Sequence, residues 1–323
     1  MVAGRLRAED AQGRKVSDAT ANASAGNAVR WRQVVLLTVG AVALYFVMRA
    51  LPTGTNLHNS DFNVPGQGQL EYCDPSAPQF IPVTTARSPV AMTLVGESPA
   101  ATGRETRYVL TLKTWNGQDI GPADLLVSQT RKIHLLVADP SLQDYQHIHP
   151  EPGEKNGQWT FALTPRLGGH YRVYADFTPV VTARSLYAAT DLQVAGETSA
   201  AMPPLAWSFE QDGYRFELAA ASRPIRARQS SDLTFTVKRS DGGPVPMDTV
   251  MGAYAHLVVF DEALTGFAHV HPQQTDLAQK PDALKPALTF KLMIPNAGRF
   301  VIWAEVNLGG RLAFAPFWFE VAP

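Results

Sequence analysis

The same sequence pattern occurs twice in this chain. "QHIHP" at residues 146–150 returns as "AHVHP" at 268–272, and each copy has a further histidine thirteen residues before its His-x-His pair. The segments around the two copies can be aligned with only small insertions. Such self-similarity indicates two tandem units of one fold, and a length of 323 residues suits two domains of about 100–150 residues each.

Each unit is predicted to be a β-sandwich. Short runs rich in Val, Tyr, Phe and Thr, such as "RYVLTLKTW" (107–115) and "GHYRVYADF" (169–177), are separated by turn residues, as is usual in sandwich domains. The second unit repeats their order, for example in "ALTFKLMIPNAGRFVIWAEV" (287–306). The predicted fold class is therefore all-β: two tandem immunoglobulin-like β-sandwiches, at 86–197 and 203–323, that follow one N-terminal transmembrane helix.

The N-terminal part predicts a membrane anchor. Residues 1–33 are rich in Ala, Ser, Gly and Asn with several arginines, which predicts a disordered tail. Residues 34–51 are apolar enough for one transmembrane helix. The preceding cations place the tail in the cytoplasm and the rest of the chain in the periplasm or outside the cell, with the cytoplasmic membrane as partner. A cleaved signal peptide is the alternative, although Arg49 lies where a small residue is needed. Residues 52–85 predict a stalk.

The composition excludes several classes of protein. With 28 basic and 29 acidic residues and a net charge of −1, the chain has no general basic excess, which argues against nucleic-acid binding. The single cysteine, Cys73, excludes an internal disulfide framework and any site built from several cysteines. The chemistry of a site must therefore come from other side chains.

Six of the eight histidines belong to the duplicated pattern. Side chains alternate along a strand, so Ile133, Leu135 and Val137 share one face and leave the neighbouring histidine on the other. If the turn "DPSL" folds a hairpin that pairs Ile148 with the apolar face, three imidazoles converge on the opposite face. The predicted ligands are His134, His147 and His149 in the first unit and His256, His269 and His271 in the second.

Three neutral imidazoles suit zinc, copper(II) or nickel. Each unit is therefore predicted to hold one divalent ion, copper or zinc, in a surface site that exchanges metal readily. Asp176 and Glu305 have equivalent places on a later strand, and either could accept a hydrogen bond from the second nitrogen of a ligand histidine. Lys132 lies two residues before His134, whereas the uncharged Tyr254 has the equivalent place in the second unit. Because a nearby positive charge disfavours a bound cation, the second unit is predicted to bind metal more tightly.

A resemblance supports these predictions. The string "KIHLLVADPSLQDYQHIHPE", followed by "GGHYRVYADFTP", is similar to membrane-anchored bacterial proteins with repeated FixH/YtkA-like or copper-resistance-type immunoglobulin-like domains that carry an HxHP motif. The likeness covers both repeats. It implies an extracytoplasmic sandwich linked to metals, with metal transport or efflux proteins as partners. The Cys-Pro-Met-His-Pro module that can precede such domains does not occur in this sequence.

Two other interpretations remain open. The histidines could hydrogen-bond within a structural or adhesion module that holds no metal. A cupin-like metal oxygenase would use the His-x-His pair with a following carboxylate, Glu154 or Asp276, but the later histidine that cupins need is missing and the third imidazole lies upstream instead. The sequence shows neither a nucleophile nor an acid–base pair, so an enzyme is not expected.

Overall fold

The computed structural model of the protein describes most of the chain as five segments. These are residues 13–50, 54–63, 80–84, 88–199 and 201–323. The chain divides into two compact units, Met1–Gly54 and Thr55–Pro323. Cys73 and much of the predicted stalk lie outside the described residues.

The first unit contains one helix, α1 (Gly13–Ala50). It includes residues 13–33, for which the sequence predicts a disordered tail, while residues 1–12 of that tail lie outside the described part. Once an apolar helix exists, extending it through alanine-rich sequence costs little, because each added residue contributes a hydrogen bond. Within α1, Arg30–Met48 has a mean hydropathy of 1.6 and is long and apolar enough to cross a membrane.

The first sandwich has two sheets around its own apolar core. Its strands are β1 (Val90–Gly96), β2 (Ala100–Ala101), β3 (Thr106–Thr114), β4 (Ile133–Ala138), β5 (Tyr145–Ile148), β6 (Glu151–Pro152), β7 (Gln158–Leu163), β8 (Gly169–Phe177) and β9 (Leu186–Ala195). One sheet has the order β1-β3-β7-β6 and the other β2-β9-β8-β4-β5. Strand β3 alternates between buried and more exposed side chains, as expected when one face covers the core.

The second sandwich repeats this arrangement. Its strands are β10 (Ser208–Gln211), β11 (Tyr214–Ala220), β12 (Ile225–Arg226), β13 (Ser230–Arg239), β14 (Met247–Asp248), β15 (His256–Asp261), β16 (Phe267–Val270), β17 (Ala287–Met293), β18 (Gly298–Leu308) and β19 (Arg311–Ala322). The sheets have the orders β10-β11-β13-β17 and β12-β19-β18-β15-β16, and β14 also pairs with β18. The predicted fold class is confirmed. Short 3₁₀ helices occur at Asn59–Phe62 and Pro122–Asp124.

The two sandwiches pack against each other through the outer faces of their larger sheets. Strand β4 is buried at every position, because its second face covers the other repeat instead of meeting water. The ring centroids of Tyr145 and Trp303 are 5.7 Å apart, and those of the equivalent residues Phe267 and Tyr174 are 5.2 Å apart. Equivalent residues thus exchange partners across the interface, as in a two-fold symmetric dimer.

A separate apolar cluster lies between the repeats. It is built from the side chains of both larger sheets and of the lead-in segment. Its buried members are Val83, Leu136, Ala138, Leu142, Tyr145, Tyr174, Val258, Phe260, Leu264, Phe267, Val301, Trp303 and Trp318.

The lead-in to the sandwiches does not form a free stalk where it is described. Leu57 and Phe62 are buried in the core of the first repeat. Ile81 forms an antiparallel bridge with Phe267 at the edge of the second repeat, with hydrogen bonds of 2.8 and 3.1 Å. Apolar side chains at these positions explain why the segment docks instead of forming a stalk, since moving them out of water lowers the free energy of the protein.

Candidate metal centre

The β4–β5 hairpin carries the first histidine set. Leu135 pairs with Ile148 and Leu136 with His147, which confirms the predicted register. The connecting loop is fixed by the carboxylate of Asp139, which accepts hydrogen bonds from three backbone N–H groups in the loop at 2.7 to 2.9 Å. This local bonding holds the two strands, and hence the imidazoles, in one arrangement.

The β15–β16 hairpin carries the second set in the same way. Leu257 pairs with Val270, and Val258 with His269. Asp261, equivalent to Asp139, accepts hydrogen bonds from the Thr265 backbone N–H and hydroxyl, both at 2.8 Å. Both repeats therefore present their histidines on a hairpin of matching register.

In the first triad, His134, His147 and His149 each offer a ring nitrogen, and these three atoms lie within 4.8 Å of one another. His134 Nδ1 is 3.1 Å from His147 Nε2, and His134 Nε2 is 3.0 Å from the carbonyl oxygen of Ser128. The Nε2 atom of His149 is buried and has no hydrogen-bond partner among the described residues. A small cation could bind all three nitrogens with modest rearrangement of the side chains.

The second triad has nearly the same geometry. The donor nitrogens of His256, His269 and His271 also lie within 4.8 Å of one another. His256 Nδ1 is 3.2 Å from His269 Nε2, and His256 Nε2 is 2.9 Å from the carbonyl oxygen of Val250. In the described part of the chain, nothing pairs with the buried Nε2 of His271.

The two predicted carboxylates both contact histidines of the triads, each in the opposite repeat. Glu305 Oε2, from the second repeat, lies 2.7 Å from His147 Nδ1. Asp176 Oδ2, from the first repeat, lies 3.4 Å from His269 Nδ1. A carboxylate in this place fixes the tautomer and the orientation of a ligand imidazole. Each triad is therefore completed by a residue from the other sandwich.

The six imidazoles form one continuous cluster. Within the triads, neighbouring ring centroids are 4.8 to 5.4 Å apart. Between the triads, His269 lies 5.4 Å from His147 and 5.5 Å from His134. His147 and His256 are 6.5 Å apart. The spacing across the interface is thus close to the spacing inside each repeat.

Most of this cluster is buried, in contrast to the surface site predicted from the sequence, while His149 and His271 are half-buried. His134 is 2% exposed and His256 is fully buried. The side chains of His147 and His269 have 0% and 5% of their surface exposed. The reason is the packing of the two larger sheets, which covers the face that a single sandwich would leave open to solvent.

Burial also sets the charge state of these groups. The loss of hydration lowers the pKa of every imidazole in the cluster below 6.5, with those of His147 and His269 well below it. The pKa falls to about 3 for His149, about 2 for His256 and about 4 for His271. Near neutral pH the imidazoles are therefore uncharged, the form that binds metal ions.

The same desolvation acts on the carboxylates with the opposite sign. It raises the pKa of Asp176 and of Glu305 to about 7 in each case, with the nearby His134 opposing the rise for Glu305. Both carboxylates thus lie in a site that disfavours an isolated negative charge. A cation close by would stabilise their ionised forms.

The basic side chain that acts on the first triad is not the one predicted from the sequence. The Nζ of Lys132 donates to the carbonyl oxygens of Pro122 and Leu125, at 2.6 and 2.7 Å. It is Arg131 whose charge contributes to the lowered pKa of His134 and His149, after desolvation. The equivalent residue in the second repeat is Ala253. The expected difference between the triads therefore remains, with another residue as its cause.

Neither residue that a cupin-like site would use lies in the cluster. Glu154 is exposed. Asp276 is also exposed and accepts hydrogen bonds from Ala278 and Gln279 within its own loop. The histidines outside the repeat pattern, His58 and His170, are exposed as well.

Sequence reasoning missed the turns that hold the first histidine of each triad. Ser128 and Arg131 exchange backbone hydrogen bonds, and Val250 and Ala253 do the same. The turns present the carbonyl oxygens that accept from His134 and His256. Ser128 and Val250 have equivalent positions, six residues before each histidine, but their side chains differ in type, so the residue pattern gave no signal for these turns.

The sequence matches one family model over both repeats. The model describes a domain of unknown function, DUF8832, and it matches residues 85–195 and 209–323. The chain therefore belongs to this family. No curated protein matches the sequence.

Three of the solved structures that match the chain are distant in sequence. They include the Escherichia coli adhesin FdeC, with 18% identity, a TM-score of 0.23 and coverage of 72% of this chain and 64% of that one. Invasin, a bacterial integrin-binding protein, has 13% identity, a TM-score of 0.22 and coverage of 71% and 39%. The fibronectin(III)-like modules of Clostridium thermocellum CbhA have 12% identity, a TM-score of 0.18 and coverage of 71% and 94%. At these TM-scores the matches support no functional conclusion.

Proposed function

We propose that this protein is a membrane-tethered, extracytoplasmic metal-binding protein that handles copper or zinc through one three-histidine site in each repeat. The observation that carries the proposal is the unpartnered, buried Nε2 of His149 and of His271 among the described residues. A buried polar atom without a partner costs about 1–3 kcal/mol. A metal ion at each triad would remove this cost at both places.

The tautomers support the same conclusion. The Ser128 carbonyl oxygen can only accept a hydrogen bond, so His134 carries its hydrogen on Nε2 and presents a lone pair at Nδ1. If Glu305 is ionised, His147 donates from Nδ1 and presents a second lone pair at Nε2, 3.1 Å from the first. Two lone pairs at this distance repel each other, and a bound cation turns both into ligands.

The donor set favours copper(II) or zinc. Imidazole nitrogen suits both metals, whereas copper(I) prefers thiolate and thioether sulfur. Of the methionines near the second triad in sequence, Met247 is buried in the core of its own sandwich. A site with three imidazoles also leaves a coordination position for water or for a ligand of a partner protein.

The anchor and the partners belong to the same proposal. The window Arg30–Met48 would tether the sandwiches to the cytoplasmic membrane, with residues before it inside. Metal transport or efflux proteins are the proposed partners, since a tethered binding protein can hold an ion and deliver it. We propose binding and transfer and assign no catalytic step.

A purely structural role is the second candidate, and one specific arrangement favours it. If Glu305 is protonated, as its raised pKa of about 7 permits, it can donate to His147 Nδ1. His147 Nε2 then donates to His134 Nδ1, and His134 Nε2 to the Ser128 carbonyl. This chain satisfies two imidazoles without metal and joins the repeats, but it leaves His149 Nε2 without a partner.

Metal retention by the full chain tests the proposal. The detergent-solubilised protein is stripped with a chelator, incubated with copper(II) or zinc(II), desalted and analysed for metal content. We expect the wild type and the His170→Ala control to retain metal, because His170 is exposed and lies outside the cluster. The His134→Ala, His256→Ala variant should lose it. If the wild type retained neither metal, the metal-binding proposal would be wrong. The structural role would then be the remaining candidate.

A further inference from the structure

We propose that the six histidines form one dinuclear centre, in which two metal ions lie close enough to interact, instead of two independent sites. The inference rests on the proposed metal-binding function and concerns how the two triads act together. Sequence reasoning placed one separate site in each sandwich.

The first support is the spacing of the rings. His269 of the second triad lies 5.4 Å from His147, and the longest spacing inside a triad, between His256 and His269, is also 5.4 Å. The strands that carry these side chains pack face to face, so no layer of apolar residues separates the triads at this point. Ions bound to both triads would share one low-dielectric enclosure.

The second support is the exchange of carboxylates. Glu305 orients His147, a ligand of the first triad, but it lies on β18, which pairs with the strand of the second triad, so that His256 is its direct cross-strand neighbour. Asp176 has the mirrored place between His134 and His269. Each carboxylate therefore lies beside both triads. Two neighbouring divalent ions repel each other. The negative charge of two carboxylates offsets this repulsion, which a neutral site would not do.

The symmetry of the interface supplies the third support. Matching residues exchange roles in the aromatic packing and in the histidine–carboxylate contacts alike. A pseudo-two-fold axis passes between the triads, so that one set of three histidines lies on each side of it. Two-metal sites in proteins use such paired ligand sets, with the ions about 3.5–4 Å apart.

Electron paramagnetic resonance of copper(II) tests the inference on the full chain in detergent. We expect two copper ions per chain, with a signal that is weaker than the sum of two isolated ions or that shows dipolar broadening and a half-field transition. The His147→Ala, His149→Ala variant and the His269→Ala, His271→Ala variant should each bind one ion and give a full-intensity signal of an isolated copper ion. His170→Ala should behave as the wild type.

The possible results separate this inference from the proposed function. Two bound ions with a spectrum equal to the sum of two isolated sites would overturn the dinuclear centre and leave metal binding intact. A single ion per wild-type chain would also overturn it. No bound copper or zinc would overturn both proposals. The wild-type spectrum decides these cases even if a histidine variant does not fold.

Discussion

His147 Nδ1 lies 2.7 Å from Glu305 Oε2, although the two residues are 158 positions apart and belong to different sandwiches. This contact joins a triad histidine of one repeat to a carboxylate of the other. Together with the matching contact between His269 and Asp176, it makes the interface part of the site.

Replacing Glu305 should weaken metal binding by the first triad and not by the triad of its own repeat. We expect Glu305→Gln to reduce the affinity of the first triad about 10–100-fold, because a neutral amide supports His147 less than a carboxylate does. The measurement is a competitive chelator titration in a background where His256→Ala and His271→Ala remove the second triad. In that background Asp176→Asn should have a much smaller effect. A larger effect of Asp176→Asn would contradict the crossed arrangement.

Removing the charge of Arg131 should strengthen metal binding by the first triad. The guanidinium lies close enough to lower the pKa of His134 and His149, and a positive charge disfavours a bound cation. Because its side chain is 48% exposed and paired with Glu151, the expected gain for Arg131→Ala is only about 2–5-fold. Titration at low and at high salt measures it, and the gain should shrink at high salt.

The control for that substitution is Arg215→Ala. It removes the same charge from the smaller sheet of the second repeat, where the arginine pairs with Glu210 and Glu217. No change in affinity is expected from it. An equal gain in both variants would show that only the net charge matters.

The metal-free protein should gain stability as the pH rises from about 4.5 to about 6.5. In this range the unfolded chain binds protons on six histidines whose folded pKa values are lowered, to about 3 for His149 and about 2 for His256. Among the described residues, the folded chain holds extra protons in this range on two groups, Asp176 and Glu305, whose pKa values are raised to about 7. The unfolded state therefore binds more protons, and stability rises with pH.

Each net proton contributes about 1.4 kcal/mol per pH unit to the free energy of unfolding. Urea unfolding of the stripped protein at a series of pH values measures the slope. His134→Gln with His256→Gln should reduce it, since neither glutamine titrates. A stability that falls from pH 4.5 to 6.5 would mean that the carboxylates dominate and that the imidazoles are not held neutral.

Gly266→Ala should detach the lead-in segment from the second repeat. A Cβ at this position would lie 1.9 Å from the carbonyl oxygen of Ile81, so one of the two chains must move. We expect loss of the bridge between Ile81 and Phe267, a destabilisation of about 1–3 kcal/mol, and faster proteolysis before residue 84. Ala263→Ser, on the exposed loop before β16, is the control and should change neither. Unchanged proteolysis in Gly266→Ala would contradict the docking.

The sequence predicted the local structure well because local structure follows residue patterns. The predicted strands at 107–115 and 169–177 correspond to Thr106–Thr114 and Gly169–Phe177, and alternation of apolar side chains set the hairpin register. The repeat identified all six clustered histidines. Asp176 and Glu305 were found as carboxylates, but their partners were not.

What the sequence did not predict depends on packing between the sandwiches. The burial of the triads and the crossed carboxylates arise only when the larger sheets meet, and the spacing of residues within one repeat does not identify their partners in the other repeat. One signal was present: "IHLLVA" in β4 is uncharged on both faces, which is typical of a strand buried on both sides. The second apolar face marked the interface.

X-ray diffraction from crystals grown with copper(II) or zinc is the decisive test of the proposed metal centre, because anomalous scattering locates the metal itself. We expect two anomalous peaks between the sandwiches, each about 2.0–2.1 Å from three imidazole nitrogens of one triad. His147 Nδ1 and His269 Nδ1 should keep their carboxylate partners from the opposite repeat. Peaks only at the exposed His58 or His170, or none in the interface of a metal-saturated crystal, would contradict it.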